Sequence, residues 1–505
     1  MTYNDRTSIA AVFVLVTAAS YASCSAEPDQ TLPQGSGGSQ PMDGTGGAGG
    51  TTSSGASGSS VTTGNPGTGG TGDGGAGGMS DGGVAGTGGA GGSGGGVGMP
   101  GACDYTPQPN AAQAKLTFKQ LTLMGVPTEI AGKESDGKGF GREGLTEIRF
   151  IPGTTSDFFL LQKGGRVNQM HLDGPDATAA TLVKSFDLAQ VAYGQDCGLL
   201  SMAFDPDFQT NHLVYFGHCD TLSSSKISRY TFTGDAMTDP VDIMNWKRVS
   251  GTNSWHTIGS MGFDATGNLW VLHGEFTGGK IAQSLDSNLG KLLKIVPSRK
   301  PAMGGYEPAP GNPFVSDPKP KSAIWAWGFR SPWRGLMDAH GHIVVGDVGD
   351  HEDEEVNVVT DPGKNFGWNT DSGPCTGDCV SPVTYWRGGG NEDAYAADGN
   401  PVTSARPGRA VWVGTQYGNC GNDRYRGAMT GVIVFGDFFA GWVRGMVVDA
   451  TGKMTTDKSL GYLTVVSSWT QAPDGYLYVA TYGGPYDSAS SAKDVTGLFR
   501  AVPMP

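Results

Sequence analysis

The stretch Ile324–Trp368 reads IWAWGFRSPWRGLMDAHGHIVVGDVGDHEDEEVNVVTDPGKNFGW. An apolar run, Ile324–Trp327, stops at Gly328, and Arg330 follows between Phe329 and Ser331-Pro332. Asp338-Ala339-His340-Gly341 has the composition of a tight turn, and His342–Val345 alternates as a strand does. The next loop is acidic: Asp347, Asp350, Glu352, Asp353, Glu354 and Glu355 all fall within Gly346–Glu355. Carboxylates at that density repel one another unless a positive charge lies among them. Most acidic runs are solvated turns. This one is held by Gly346 and Gly349, follows an arginine in apolar surroundings and feeds a strand, Val356–Val359. An oxygen-rich loop so placed suits a hard cation such as calcium.

The order of apolar strand, Asp-centred turn and alternating strand recurs. Met202–Phe208 leads into His212–Phe216, and Met261–Val271, Leu336–Val345, Val447–Gly452 and Gln471–Val479 repeat the pattern. Each is a hairpin signal, because Asp and Gly supply the turn and alternation supplies the two faces. Long amphipathic patterns are missing. Repeated hairpins at uneven, blade-like intervals predict an all-β fold, a six-bladed β-propeller with long inserted loops. A pair of β-sandwiches is the alternative. In a propeller the loops of every blade converge on one end of the channel, where polar groups gather. Gln195 and His256 each precede a strand, as Arg330 does, and belong at that end. Histidine is the side chain best suited to take a proton near neutral pH.

The chain has 505 residues, and 34 Lys+Arg against 48 Asp+Glu give a formal charge of −14. Nucleic-acid recognition needs a basic face, so that class of partner is excluded. Residues 1–23 have the form of an export signal: Arg6, an apolar stretch Ile9–Ala19 too short to span a bilayer, then Ala22-Ser23 before Cys24. This is the pattern of a bacterial lipoprotein, with Cys24 the acylated residue, although Tyr21 stands where leucine is usual. Cleavage near Ala22, releasing a soluble protein, is the alternative. Residues 24–102 are dominated by Gly, Ser and Thr, with no Lys, Arg, His or aromatic side chain from Ala26 to Ala102. They cannot bury enough to offset the entropy of ordering, and read as a disordered tether with a mean reach of roughly 50 Å. Residues 103–505 form the folded body. The protein is expected to be exported and held on the cell envelope, at the outer membrane or in the periplasm, meeting the membrane only through its lipid. Cys103, Cys197, Cys219, Cys375, Cys379 and Cys420 remain. An even number in an exported chain predicts disulfides, with the pairing open. Cys375 and Cys379 lack C-x-x-C spacing, which argues against zinc.

Several stretches together resemble the glucose/sorbosone dehydrogenase family, which includes soluble quinoprotein aldose dehydrogenases and Hedgehog-interacting-protein-like proteins. They are GQDCGLLSMAFDPDF (Gly194–Phe208), H-x-x-G (His256–Gly259), NLGKLLKI (Asn288–Ile295) and GNPF (Gly311–Phe314). WGFRSPWRG (Trp327–Gly335), GDVG…EEVN (Gly346–Asn357), KNFGW (Lys364–Trp368), VIVFGDFFAGWVRGM (Val432–Met446) and PDGYLYV (Pro473–Val479) continue in family order. The resemblance implies a six-bladed propeller whose active members hold pyrroloquinoline quinone over the channel mouth with calcium. It implies that His256 is the base for the sugar hydroxyl, that Arg330 polarises the quinone, and that Gln195 lies beside the base. It implies that Arg330, Ser331, Val348 and Gly349 contact the cofactor. For the metal, Gly349 and Asp350 fall at the family's calcium carbonyls, and Asp353, Glu354 and Glu355 are the nearby acids.

This sequence departs from the family in places. Ser331 replaces an asparagine, and Trp255 replaces an acid before the base. A lysine usual within Phe435–Val443 and an arginine pair usual within Val465–Gln471 are both missing. A tricarboxylate quinone needs cations, and Arg424, Arg426 and Arg444 are the candidates to supply them. Two functions follow. One is a dehydrogenase that oxidises aldoses to lactones by hydride transfer to the quinone, with an electron acceptor the sequence does not specify. The other is a non-catalytic propeller that binds carbohydrate or protein.

Overall fold

The computed structural model describes residues 103–126, 144–249, 251, 253–276, 278–350, 353–387, 410–483 and 496–504. The signal, Cys24, the tether and Glu352 lie outside the described residues. Within them the fold is all-β, and α-helix is confined to the single turn Phe208–Asn211.

The strands form antiparallel meanders. One runs Leu199–Phe204, Leu213–Thr221, Ser224–Phe232, Met237–Lys247; another runs Pro332–Met337, Ile343–Asp347, Asp353–Val359, Thr384–Arg387. A third runs Val411–Gln416, Ile433–Asp437, Trp442–Val448, Met454–Tyr462, and a fourth Ile258–Phe263, Leu269–His273, Lys291–Pro297, Ile324–Trp327. Among the described residues the largest sheet has eight strands, because the first of them in sequence bridges two meanders. Leu116–Met124 pairs antiparallel with Gly497–Pro503 and parallel with Ala179–Asp187. The two ends of the folded body are thereby stitched together, and the Cys103–Cys420 disulfide ties the entering segment to a distant loop. The leading strands of the meanders pack in a closed order: Leu145–Phe150, Leu199–Phe204, Ile258–Phe263, Pro332–Met337, Val411–Gln416, Val466–Gln471, and back to the first. The fold is propeller-like, and the sandwich alternative falls, since face-to-face sheets would not return to their starting strand.

The Asp-centred turns form as the sequence suggests, through one mechanism. Asp264 Oδ1 accepts from the amides of Thr266 and Asn268, both at 2.9 Å. Asp338 Oδ1 accepts from His340 and His342, at 2.9 and 2.8 Å. Asp474 Oδ1 accepts from Tyr476, and Asp205 Oδ1 from Asp207. A carboxylate folded onto its own chain two residues on is a ready-made turn. Each of these joins a leading strand to its second strand, so they gather at one end of the ring. The Asp449 turn differs, joining Trp442–Val448 to Met454–Tyr462.

Arg334 crosses the centre of the ring. Its Nε donates to Ser467 O at 2.7 Å, Nη2 to Thr146 O at 2.7 Å, and both Nη atoms to Leu200 O. One buried guanidinium therefore satisfies carbonyls on three other leading strands, with Glu147 3.7 Å away. Removing it strands these acceptors and leaves the buried Glu147 with Arg149 as its cationic partner. Arg334→Ala should lower stability by about 3–5 kcal/mol, as breaking buried ionic networks does. Chemical denaturation measures this, and an unchanged midpoint would deny Arg334 its central place.

Candidate active site

Because one end of the ring is closed by turns, the other end collects residues just before a leading strand and just after a second strand. One cavity opens there. From the first group come Gln195, Asp196, His256, Thr257, Arg330, Ser331 and Ala410; from the second come Lys163, Val348, Phe438, Phe439 and Tyr482. Trp333 completes an aromatic wall with Phe438, Phe439 and Tyr482, and Arg334 lies at the floor.

His256 is buried, and its Nδ1 lies 2.8 Å from Glu275 Oε1. Glu275 follows the strand Leu269–His273, whereas the sequence suggested no partner for the base. Burial drives the imidazole well below its ordinary pKa, with Arg330 adding to the effect. Burial also pushes Glu275 up to about 7, although Arg330 pulls it back. Each shift disfavours the ion pair, so at neutral pH the ring is neutral. With Nδ1 engaged, Nε2 is the nitrogen left for the cavity.

Local backbone geometry holds this pair. His256, Gln195 and Phe276 all have left-handed φ, at 57°, 50° and 55°. Such conformations are strained for non-glycine residues and persist where surrounding bonds fix them. Here the His256 amide donates to Asp196 Oδ2 at 2.7 Å, Thr257 Oγ1 to Asp196 O, and the Phe276 amide to His256 O. A Cβ at Gly274 would collide with the His256 carbonyl. Gln195 accepts the Ser254 amide on its side-chain oxygen, so it holds the His256 loop rather than offering that oxygen to a substrate. The Cys197–Cys219 disulfide pins the same turn.

Arg330 is equally fixed. Its amide and that of Ser331 donate to the two oxygens of Asp347, at 3.0 and 2.7 Å. Its Nη1 donates to Val348 O at 3.2 Å and Gly349 O at 2.5 Å, Nη2 lies 3.5 Å from Asp350 Oδ1, and Trp368 stacks beside it at 5.3 Å. The acidic stretch needs correction. Asp353, Glu354 and Glu355 open the strand Asp353–Val359, so they point alternately to opposite faces. Glu354 Oε2 accepts from Val411 N and Gly349 N, while Glu355 accepts from Gly373 N and Asn357 Nδ2. Burial raises Glu354 well above its usual range, Glu355 to about 8 and Asp347 to about 7. Among the described residues these three strand acids form no common metal cage. The tight group of metal-capable side chains found there is Asp371, Cys375 and Cys379, whose cysteines are joined as a disulfide. Val348 O, Gly349 O and Asp350 do converge, on the Arg330 guanidinium.

The substitute cations lie elsewhere. Arg444 pairs with Asp457 at 2.7 Å, Arg424 donates to Asp474 O, and neither they nor Arg426 lines the cavity. Lys163 does, and the sequence reading missed it. Its position after a second strand is the signal that could have found it.

An all-β ring with a histidine–carboxylate pair facing an arginine across an aromatic-walled cavity defines a class of propeller-like protein equipped for proton abstraction beside a positive charge. The glucose/sorbosone dehydrogenase profile matches residues 145–485. That is most of the folded body, and the chain belongs to this family. It is 24% identical to the aldose sugar dehydrogenase YliI of Escherichia coli over 312 residues, covering 57% of this chain and 75% of that one. It is 26% identical to the HIPL2 protein of Arabidopsis thaliana over 248 residues, but this covers 38% of the chain and 36% of the relative, well under two thirds. The PQQ-bound aldose sugar dehydrogenase of Streptomyces coelicolor superposes with a TM-score of 0.54 at 19% identity, covering 78% of this chain and 99% of that one.

Asp347→Ala should leave the Arg330 and Ser331 amides buried without acceptors. At about 1–3 kcal/mol for each orphaned group, the loss is roughly 2–6 kcal/mol. Asp347→Asn, which keeps one acceptor oxygen, should recover part of it in the same urea titrations.

Proposed function

We propose that this protein is a quinoprotein-type sugar dehydrogenase that oxidises aldoses to lactones. The observation that carries the reading is the His256–Glu275 pair facing Arg330 in a single cavity. We read the fold as a six-bladed propeller, each blade a four-stranded meander, on the closed order of its leading strands.

The cavity suits a flat, anionic, conjugated group. Trp333, Phe438, Phe439 and Tyr482 offer apolar faces, and Arg330 and Lys163 offer positive charge. Oxygens of Val348, Gly349 and Asp350 already converge on a cation, the Arg330 guanidinium, which is the donor chemistry calcium takes. Pyrroloquinoline quinone, when bound, supplies a two-electron acceptor for hydride. The protein's part is to orient the sugar and handle the proton. His256 Nε2 takes the anomeric hydroxyl proton, Glu275 fixes the tautomer through Nδ1, and Arg330 stabilises negative charge opposite. Walls without bulk water strengthen these interactions.

Among the described residues no helix is long and apolar enough to cross a membrane. Three disulfides suit an oxidising compartment, which supports export, with Cys24 as the proposed lipid anchor.

The test is to add calcium and quinone to purified protein and follow dye reduction with a panel of aldoses. His256→Ala should reduce turnover by roughly two to four orders of magnitude while retaining quinone binding. Arg330→Lys, which keeps charge but loses the planar fork, should weaken both. Wild type that binds no quinone leaves the non-catalytic binding propeller instead.

The pH profile has a definite sign. Above about 7 Glu275 is ionised, Nδ1–H donates to it, and Nε2 is free to accept. Below that value the protonated carboxyl donates to Nδ1, Nε2 carries the hydrogen and the base is lost. Turnover should fall as pH drops through about 7, and Glu275→Gln should remove that limb. A profile in Glu275→Gln identical to wild type would separate Glu275 from the chemistry.

A further inference from the structure

Lys163, Arg330 and Arg334 bring positive charge to the cavity. Arg334 spends its donors on strand carbonyls at the floor, and Arg330 is held on the carbonyls of Val348 and Gly349. Lys163 occupies a different corner. It is 1% exposed, its Nζ donates to Gln195 O at 2.5 Å, and it lies 5.6 Å from the centre of the Tyr482 ring. Gly198 packs on its stem so closely that a Cβ there would overlap Lys163 Cγ. The head is thus set beside the Gln195–Asp196 turn, where Lys163 and Arg330 both stabilise the Asp196 carboxylate.

Asp196 is half-buried, and its Oδ2 accepts the His256 amide at 2.7 Å. Besides Lys163 and Arg330 it faces the His256 amide and Thr257, with Glu275 behind the imidazole. Burial raises it to about 6 despite the two cations. A second anion arriving at Lys163 would compete with Asp196 for the same positive charge, and the Asp196 carboxylate would respond by taking a proton.

We infer that Lys163 is the cationic anchor that Phe435–Val443 and Val465–Gln471 lack. It receives a carboxylate of the ligand held in the cavity, and Asp196 takes up a proton from solvent as that carboxylate binds. This rests on the quinone reading above. It assigns one of the cofactor's carboxylates to the Lys163–Tyr482 corner, next in ring order to the aromatic pair Phe438–Phe439. A sugar acid would present the same chemistry there.

The experiment titrates protein with calcium and quinone, without sugar, following tryptophan fluorescence, for wild type, Lys163→Met, Lys163→Gln and Asp196→Asn. Circular dichroism checks each fold. Calorimetry in buffers of different ionisation enthalpy counts protons. Loss of one charge-assisted contact should weaken quinone about 10- to 100-fold in both Lys163 variants. Wild-type affinity should decline as pH rises above about 6, with proton uptake on binding, whereas Asp196→Asn should bind at least as tightly and take up fewer protons. Lys163 variants that bind as wild type does, or wild-type binding without proton uptake, would overturn the inference. If wild type binds no quinone, the enzyme reading fails separately, and glucuronate against glucose decides the anchor. A glucuronate preference lost in Lys163→Met supports it, and equal binding of the two sugars overturns it.

Discussion

Everything at the cavity depends on one constraint: leading strands that form a closed ring, most of them turned at the far end by an aspartate. A hairpin whose turn lies at one end must present its two free ends at the other. Closure of the ring brings those ends together from meanders far apart in sequence. Gln195, His256 and Arg330 enter the cavity as residues preceding leading strands, and Lys163, Val348, Phe438 and Tyr482 enter as residues following second strands. Arg334 secures the arrangement from within, because a single guanidinium bonds carbonyls of three neighbouring leading strands.

The second theme is buried charge. Asp196, Glu275, Asp347 and Glu354 are all raised by burial, and Arg330 pulls each of them down. One cation thus stands among several carboxylates whose protonation depends on what else is bound. Backbone amides satisfy much of their hydrogen bonding, which fixes their geometry while leaving their charge adjustable. Glu275 Oε2 is buried without a hydrogen-bond partner, and strain in the backbone of Gln195, His256 and Phe276 lies within the same loops. The site is rigid in shape and labile in charge, a combination suited to moving protons.

The hairpins were legible in the sequence because an Asp–Gly turn between alternating strands is a local signal. The aspartate side chains of residues 264, 338 and 474 cap their own turns without distant help. His256 and Arg330 were legible from their place before strands and from family resemblance. One reading differs for a physical reason. Asp353, Glu354 and Glu355 looked like loop ligands, but strand pairing with Ile343–Asp347 begins at Glu355 and with Thr384–Arg387 at Asp353, which turns neighbours to opposite faces. Gln195 lines the cavity with His256, and its side-chain oxygen accepts the Ser254 amide two residues before the base. Glu275 and Lys163 were invisible because their partners are not sequence neighbours: Glu275 meets His256 from 19 residues away within one meander, and Lys163 meets Gln195 from 32 across two. No local pattern marks such pairs. The rule that second strands also deliver their following residue to the cavity would have marked Lys163.

The central claim is that Glu275 sets the tautomer of His256 so that Nε2 can accept a proton. Nitrogen-15 magnetic resonance of the histidine side chains tests it directly. The chain has 8 histidines, and the His256 signals are those absent from a His256→Gln protein. At pH 8 the ring should be neutral with hydrogen on Nδ1 and a bare Nε2, changing to hydrogen on Nε2 as pH falls through about 7. A ring carrying its hydrogen on Nε2 at pH 8, or a charged imidazolium there, would contradict it.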